Sequence, residues 1–163
     1  MHLTTDEEAS YFERCRTWLG EGGLAVLLVP ASPADWGIED EIAGHRRRYT
    51  RERLLARLSE LAWAPRHIAG LTYPLSNVLL PASNRLVARA ESRKRTLSLR
   101  ERTRVSGVRG VPLKTDFPRI FGLLLNRVTL YPFHLLQRRN RANDKALVLY
   151  AECTPLEQRA SGA

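Results

Sequence analysis

Gly22-Gly23-Leu24-Ala25-Val26-Leu27-Leu28-Val29-Pro30 is the stretch whose reading decides the fold. Leu24 to Val29 is apolar without alternation and is bounded by Gly23 and Pro30, the pattern of a strand buried on both faces of a sheet. Such a strand ordinarily has a hydrogen-bonded neighbour on each side. Only two weaker strands follow, roughly Arg66 to Tyr73 and Ala146 to Glu152, the latter around Leu147-Val148-Leu149-Tyr150. With so few partners the apolar strand is expected at an edge, where unpaired N–H and C=O groups invite another strand.

Helical signals surround these strands. Thr5, with Glu8 three positions later, reads as a capping box, and Asp6 and Glu7 add favourable charge in the first turn. Ala9, Phe12, Cys15 and Leu19 recur at helical spacing, giving an amphipathic helix over residues 6 to 19 that ends at Gly20, Gly22 and Gly23. Thr50 opens a second helix, with Leu54, Leu55, Leu58 and Leu61 on one face and Arg51, Arg53, Arg57 and Glu60 towards water. Leu75 to Ala90 reads as a helix broken at Pro81. Residues 91 to 114 are polar, rich in arginine and punctuated by Gly107, Gly110 and Pro112, which predicts a mobile insertion. Ile120 to Leu136 is strongly apolar but falls short of the ~20 residues of a spanning helix, so it is expected to be buried or interfacial. The tail, 154 to 163, reads as disordered.

The 163 residues fit one domain, and a 44% hydrophobic content favours a globular chain. The net charge is +9, with 26 Lys plus Arg, nearly all Arg, against 17 Asp plus Glu. That excess is compatible with anionic partners, and equally with a GC-rich genome. Cys15 and Cys153 are too few for a disulfide framework and lack zinc-site spacing, so both read as reduced core thiols, with no metal site expected. Residues 1 to 8 carry no basic or apolar signal region, which leaves a cytoplasmic location as the default.

A helix, a Gly-Gly turn, a strand ending in Val29-Pro30, then Trp36, Asp40 and Gly44-His45-Arg46-Arg47-Arg48-Tyr49-Thr50 occur in that order. This resembles class I S-adenosylmethionine-dependent methyltransferases of the broad small-molecule group. There the fifth strand ends in Val-Pro, and a segment like Gly-His-x-Arg-Arg-Tyr-Thr opens the next helix. The resemblance covers residues 2 to about 153 and includes Asn77 with the Leu-Leu-Pro after it. It departs at Glu21-Gly22-Gly23, and at Leu61-Ala62-Trp63 the family has a Gly-Phe pair. It implies a partial Rossmann-like α/β fold with about three strands, the last antiparallel, and helices on both faces. The Gly-rich cofactor loop after the first strand and the acidic residue ending the second are absent. The chain then corresponds to the C-terminal portion of the domain and should be inactive alone, with S-adenosylmethionine held by a separate polypeptide carrying the N-terminal half.

In that setting His2 would lie near the methyl-bearing end of the cofactor, unless it is simply an exposed terminal residue. An unperturbed imidazole titrates at about 6.5, which suits His45 to removing a proton from a hydroxyl or amine, with Asp40 orienting it. Trp36, Arg47, Arg48 and Tyr49 would line the substrate side. Alternatively the arginines cap the second helix while His45 and Tyr49 pack the loop. Arg93, Lys94, Arg95, Arg100, Arg102 and Arg104 either clamp an anion or form a solvated loop, and no interleaved aromatics favour nucleic acid. The apolar stretch to Leu136, followed by Arg138, Arg139 and Arg141, either packs in the core or rests on an anionic membrane surface. The competing function is thus a non-catalytic basic module that binds anionic lipid or nucleic acid.

Overall fold

A computed structural model describes residues 2–20, 22–91, 96–105, 119–123 and 125–156. The first helix, α1 (Thr5–Trp18), is capped by Thr4 rather than Thr5: Thr4 Oγ1 accepts from Glu7 N–H at 3.2 Å, and Glu7 Oε2 accepts from Thr4 N–H at 2.7 Å. The sequence offers two such pairs in succession, and Glu8 is used elsewhere: it is 2% exposed and faces the core. Phe12 is buried on the same side, with Cys15 and Leu19 packed beside it.

Strand β1 (Ala25–Pro30) leads to a short turn at Pro33–Asp35, then helices α2 (Ile38–Ala43) and α3 (Arg51–Glu60). Gly44 closes α2 at φ 75°, a left-handed conformation that glycine adopts without Cβ strain. Thr50 caps α3, its Oγ1 accepting from Arg53 N–H. Strand β2 (Trp63–Leu71) follows, shifted towards the N-terminus from the expected span and bulged between Pro65 and His67. Next come α4 (Leu75–Ala90), α5 (Leu99–Val105), a 3-10 turn at Arg119–Leu123, α6 (Arg127–Arg139) and β3 (Val148–Pro155).

Three expectations change here. Helix α4 is continuous, because Pro81 only removes the rung its N–H would have formed to Asn77 and the helix carries on around it. The Arg-rich stretch contains a helix, α5, although residues 92–95 and 106–114 of the expected mobile insertion lie outside the described residues. The expected tail begins too early: Thr154 and Pro155 belong to β3, and Leu156 N–H donates to Ala62 O at 2.8 Å, while 157–163 lie outside the described residues.

The protein is mixed α/β, with a three-stranded sheet in the order β1-β3-β2 and β3 antiparallel to both neighbours. Strands β1 and β2 therefore run parallel to each other with the last strand between them. Residues directly opposite across the sheet share a face. Val29↔Leu149, Leu27↔Ala151 and Ala25↔Cys153 line one face, where Phe12, Leu54, Leu58 and Trp63 complete the main core. Cys15 and Cys153 are free thiols, and burial pushes Cys153 up to about 11. A smaller cluster joins Ile42 of α2 to Val87 of α4, with Ile38 and Leu86 beside it.

The edge position of β1 agrees with the sequence, but burial on both faces does not. Val26 and Leu28 are 54% and 64% exposed on the face away from the core, so helices do not cover both faces of this strand among the described residues. Among the described residues its outer edge is met only at the C-terminal end, in an isolated bridge where Tyr49 N–H donates to Pro30 O and Ser32 N–H to Tyr49 O.

Candidate functional site

The loop from Gly44 to Thr50 runs past the C-terminal end of β1, and its side chains divide between two buried carboxylates. Asp40, on α2 and 1% exposed, is fully occupied. Its Oδ1 accepts from His45 Nδ1 at 2.8 Å and Arg48 Nε at 2.9 Å, and its Oδ2 from Arg48 Nη2 at 2.8 Å and Gly37 N–H at 3.0 Å. Burial by itself would raise the pKa of this carboxyl. The hydrogen bonds from His45 and Arg48 outweigh that cost and hold it well below the usual carboxylate range. Arg48 also donates to Ala31 O, tying the cluster to the end of β1.

Glu8 is the second carboxylate. Its Oε1 accepts from Tyr49 Oη at 2.6 Å, and its Oε2 from Arg47 at 2.9 Å and Arg57 at 2.8 Å. Burial, then the bond to Glu8, raises the Tyr49 phenol above its ordinary range and keeps it a neutral donor. Arg47 also lies over the Tyr49 ring, 5.5 Å from its centroid.

An ionised carboxylate only accepts, so the His45 atom facing Asp40 carries its hydrogen, and in the neutral ring Nε2 holds the lone pair. The His45 side chain is 20% exposed. Such an Asp–His pair can take a proton from a hydroxyl or amine, with Asp40 fixing the tautomer. Arg48 shares the same carboxylate.

Of the residues singled out in the sequence, His45, Asp40, Arg48 and His2 come together. The His2 ring meets the His45 ring edge-on at 4.6 Å, its Nδ1 lies 3.3 Å from Gly44 O, and its own carbonyl accepts from Arg46 Nε. His2 is therefore a half-buried neighbour of His45, not an exposed terminal residue. Arg47 and Tyr49 turn to the Glu8 side. Trp36 is 41% exposed at the end of the Pro33–Asp35 turn, and its ring makes no ring contact with His45 among the described residues. A shallow recess lined by Thr5, Arg47, Arg48, Tyr49, Arg53, Ala56, Arg57 and Glu60 lies on the Glu8 side.

Sequence reasoning missed Glu8 and Arg57. The signal was present, since Glu8 stands four residues before Phe12 and seven before Cys15, on the apolar stripe of α1. A carboxylate on a buried stripe requires cationic or hydrogen-bonding partners. In the Arg-rich stretch, Arg102 donates to Glu41 O and so holds α5 against α2, while Arg93, Lys94 and Arg95 lie outside the described residues. No group of three or more His, Cys, Asp or Glu side chains is arranged to hold a metal ion among the described residues. Comparison with family models, curated proteins and solved structures finds no match for this chain.

Proposed function

We propose that this chain forms the C-terminal, acceptor-side part of a class I S-adenosylmethionine-dependent methyltransferase domain, with β1 completed by a strand from outside these residues. The observation that carries the reading is the sheet. Its last strand is antiparallel, as the resemblance implies, and among the described residues no strand pairs with the outer edge of β1 alongside Val26 and Leu28. The helix before β1 gives the connection expected if the missing strand precedes α1.

The departure at Leu61-Ala62-Trp63 also bears on the reading. Ala62 sits at φ 57°, a conformation that favours glycine, and Trp63 is 1% exposed beneath it against Phe12. The resembling family has its Gly-Phe pair within the stretch matched by Leu61-Ala62-Trp63.

The residues present do not fit the cofactor. Strand β1 runs into Ala31-Ser32-Pro33 and β2 into Thr72-Tyr73-Pro74, and neither junction has the glycines that let backbone N–H groups approach a ligand. S-adenosylmethionine is assigned to the completing segment. The role of this chain is to hold the methyl acceptor near His45, whose Nε2 receives the proton the acceptor releases.

Calorimetry with S-adenosylmethionine tests the reading. No heat of binding is expected from this chain alone, and binding is expected after co-expression with the polypeptide encoded directly upstream, whose sequence should contain a strand followed by a Gly-rich loop. Micromolar binding by the isolated chain, or an upstream sequence without that loop, overturns it.

A further inference from the structure

Helix α6 has the composition of a core helix and the exposure of a surface one. At 100° per residue, Tyr131, Leu135, Val128, Leu136 and Phe133 spread over about 200° of its circumference, and a helix this apolar is ordinarily buried. Yet every residue from Arg127 to Leu136 is exposed. Val128 is 82% exposed and Tyr131 55%. Core packing, one of the two fates the sequence allowed, is therefore not what the described residues adopt.

The helix is nonetheless well formed and held in place. Asn126 Oδ1 accepts from the N–H groups of Val128 and Thr129. At the other end, Thr72 N–H donates to Gln137 Oε1 at 3.2 Å and Gly70 N–H to Arg141 O at 2.6 Å, fixing α6 to the end of β2.

Charge indicates what covers it. Arg127 and Arg138 lie with His134 in one sector of the helix, and Arg139 and Arg141 follow at its end. No Asp or Glu occurs from Leu125 to Asn143, and none of these four guanidinium groups is ion-paired with a carboxylate among the described residues. A second copy would bring the same unbalanced charge against itself. An anionic lipid surface offers hydrocarbon for Tyr131, Phe133 and the leucines, and phosphate or carboxylate for the arginines, whose stems can bend towards the headgroups.

We propose that α6 is a peripheral docking helix for an anionic membrane surface, lying in the headgroup plane. No helix among the described residues is long and apolar enough to cross a membrane, so the contact is interfacial. The inference is independent of the methyltransferase reading.

Vesicle sedimentation tests it, with phosphatidylcholine alone and with a third of the lipid replaced by phosphatidylserine. The chain is expected to sediment with the anionic vesicles only, and less as salt rises. At roughly 1 kcal/mol per basic residue, the double change Arg138→Glu with Arg139→Glu should weaken binding at least tenfold. Phe133→Ser with Leu135→Ser should weaken it as well, and circular dichroism should find both variants folded. Equal binding to neutral vesicles, no binding to either, or full binding by the Arg138→Glu, Arg139→Glu variant overturns the proposal. So does light scattering that finds a dimer dispersed by the Phe133→Ser, Leu135→Ser variant, since a second copy would then be the occupant.

Discussion

The arginines around the candidate site and those of α6 live in opposite surroundings. Arg47, Arg48 and Arg57 are each held by a carboxylate that is itself at most 3% exposed, whereas Arg127, Arg138, Arg139 and Arg141 have no carboxylate partner among the described residues. The same residue type therefore serves two ends. Around Glu8 and Asp40 it fixes a loop to the core, and on α6 it leaves charge and apolar surface available to something outside the chain.

The largest effect should come from breaking the Asp40 cluster. Asp40→Asn leaves Arg48 nearly buried without its counter-charge and should cost about 3–5 kcal/mol in urea denaturation. The pH dependence follows from the sign of the shift: a depressed folded pKa gives stability that is fully present above the ordinary value of about 3.9 and lost as pH falls towards the folded value. The difference between the natural chain and Asp40→Asn should then be constant near neutrality and shrink below about pH 4.

Glu8→Gln should cost less, about 2 kcal/mol, because Arg47 and Arg57 still reach water, at 29% and 19% exposure. The smaller loss separates the solvated half of the site from the buried half, and equal losses would erase that distinction. Ala62→Gly should act in the opposite direction, stabilising by up to about 1 kcal/mol as relief of the left-handed backbone exceeds the added chain entropy. A Tm that does not rise would remove one support for the family reading. Smallest of all, Leu135→Ser on α6 should shift stability by no more than about 0.5 kcal/mol, since Leu135 is 45% exposed. A large loss there would mean that α6 packs against the chain after all.

Much of the fold was legible because local patterning decided it. The stripe of α1, the Thr50 cap of α3 and the apolar run of β1 each carry their own signal, and the short list of strands put β1 at an edge. The loss was in what depends on distant partners. Two Thr-x-x-Glu pairs compete at the start of α1, and only the pull of Tyr49, Arg47 and Arg57 on Glu8 selects Thr4 as the cap. Six apolar residues in β1 look the same whether the second face is covered by this chain or by another. The grouping of Asp40 with His45 could be expected from their nearness in sequence. The parting of Arg47 and Tyr49 from Arg48 and His45 could not, because it reflects two carboxylates on different helices.

Hydrogen exchange at β1 tests the open edge most directly. Ala31 N–H donates to Leu147 O, and alternation along the strand then directs the N–H groups of Leu27 and Val29 towards β3 and those of Val26 and Leu28 outward. In the isolated chain Val26 and Leu28 should exchange far faster than Leu27 and Val29, and should gain protection once the completing polypeptide is bound. Equal protection of all four in the isolated chain would mean that this molecule already closes its own sheet, contradicting the proposal that it is one part of a larger domain.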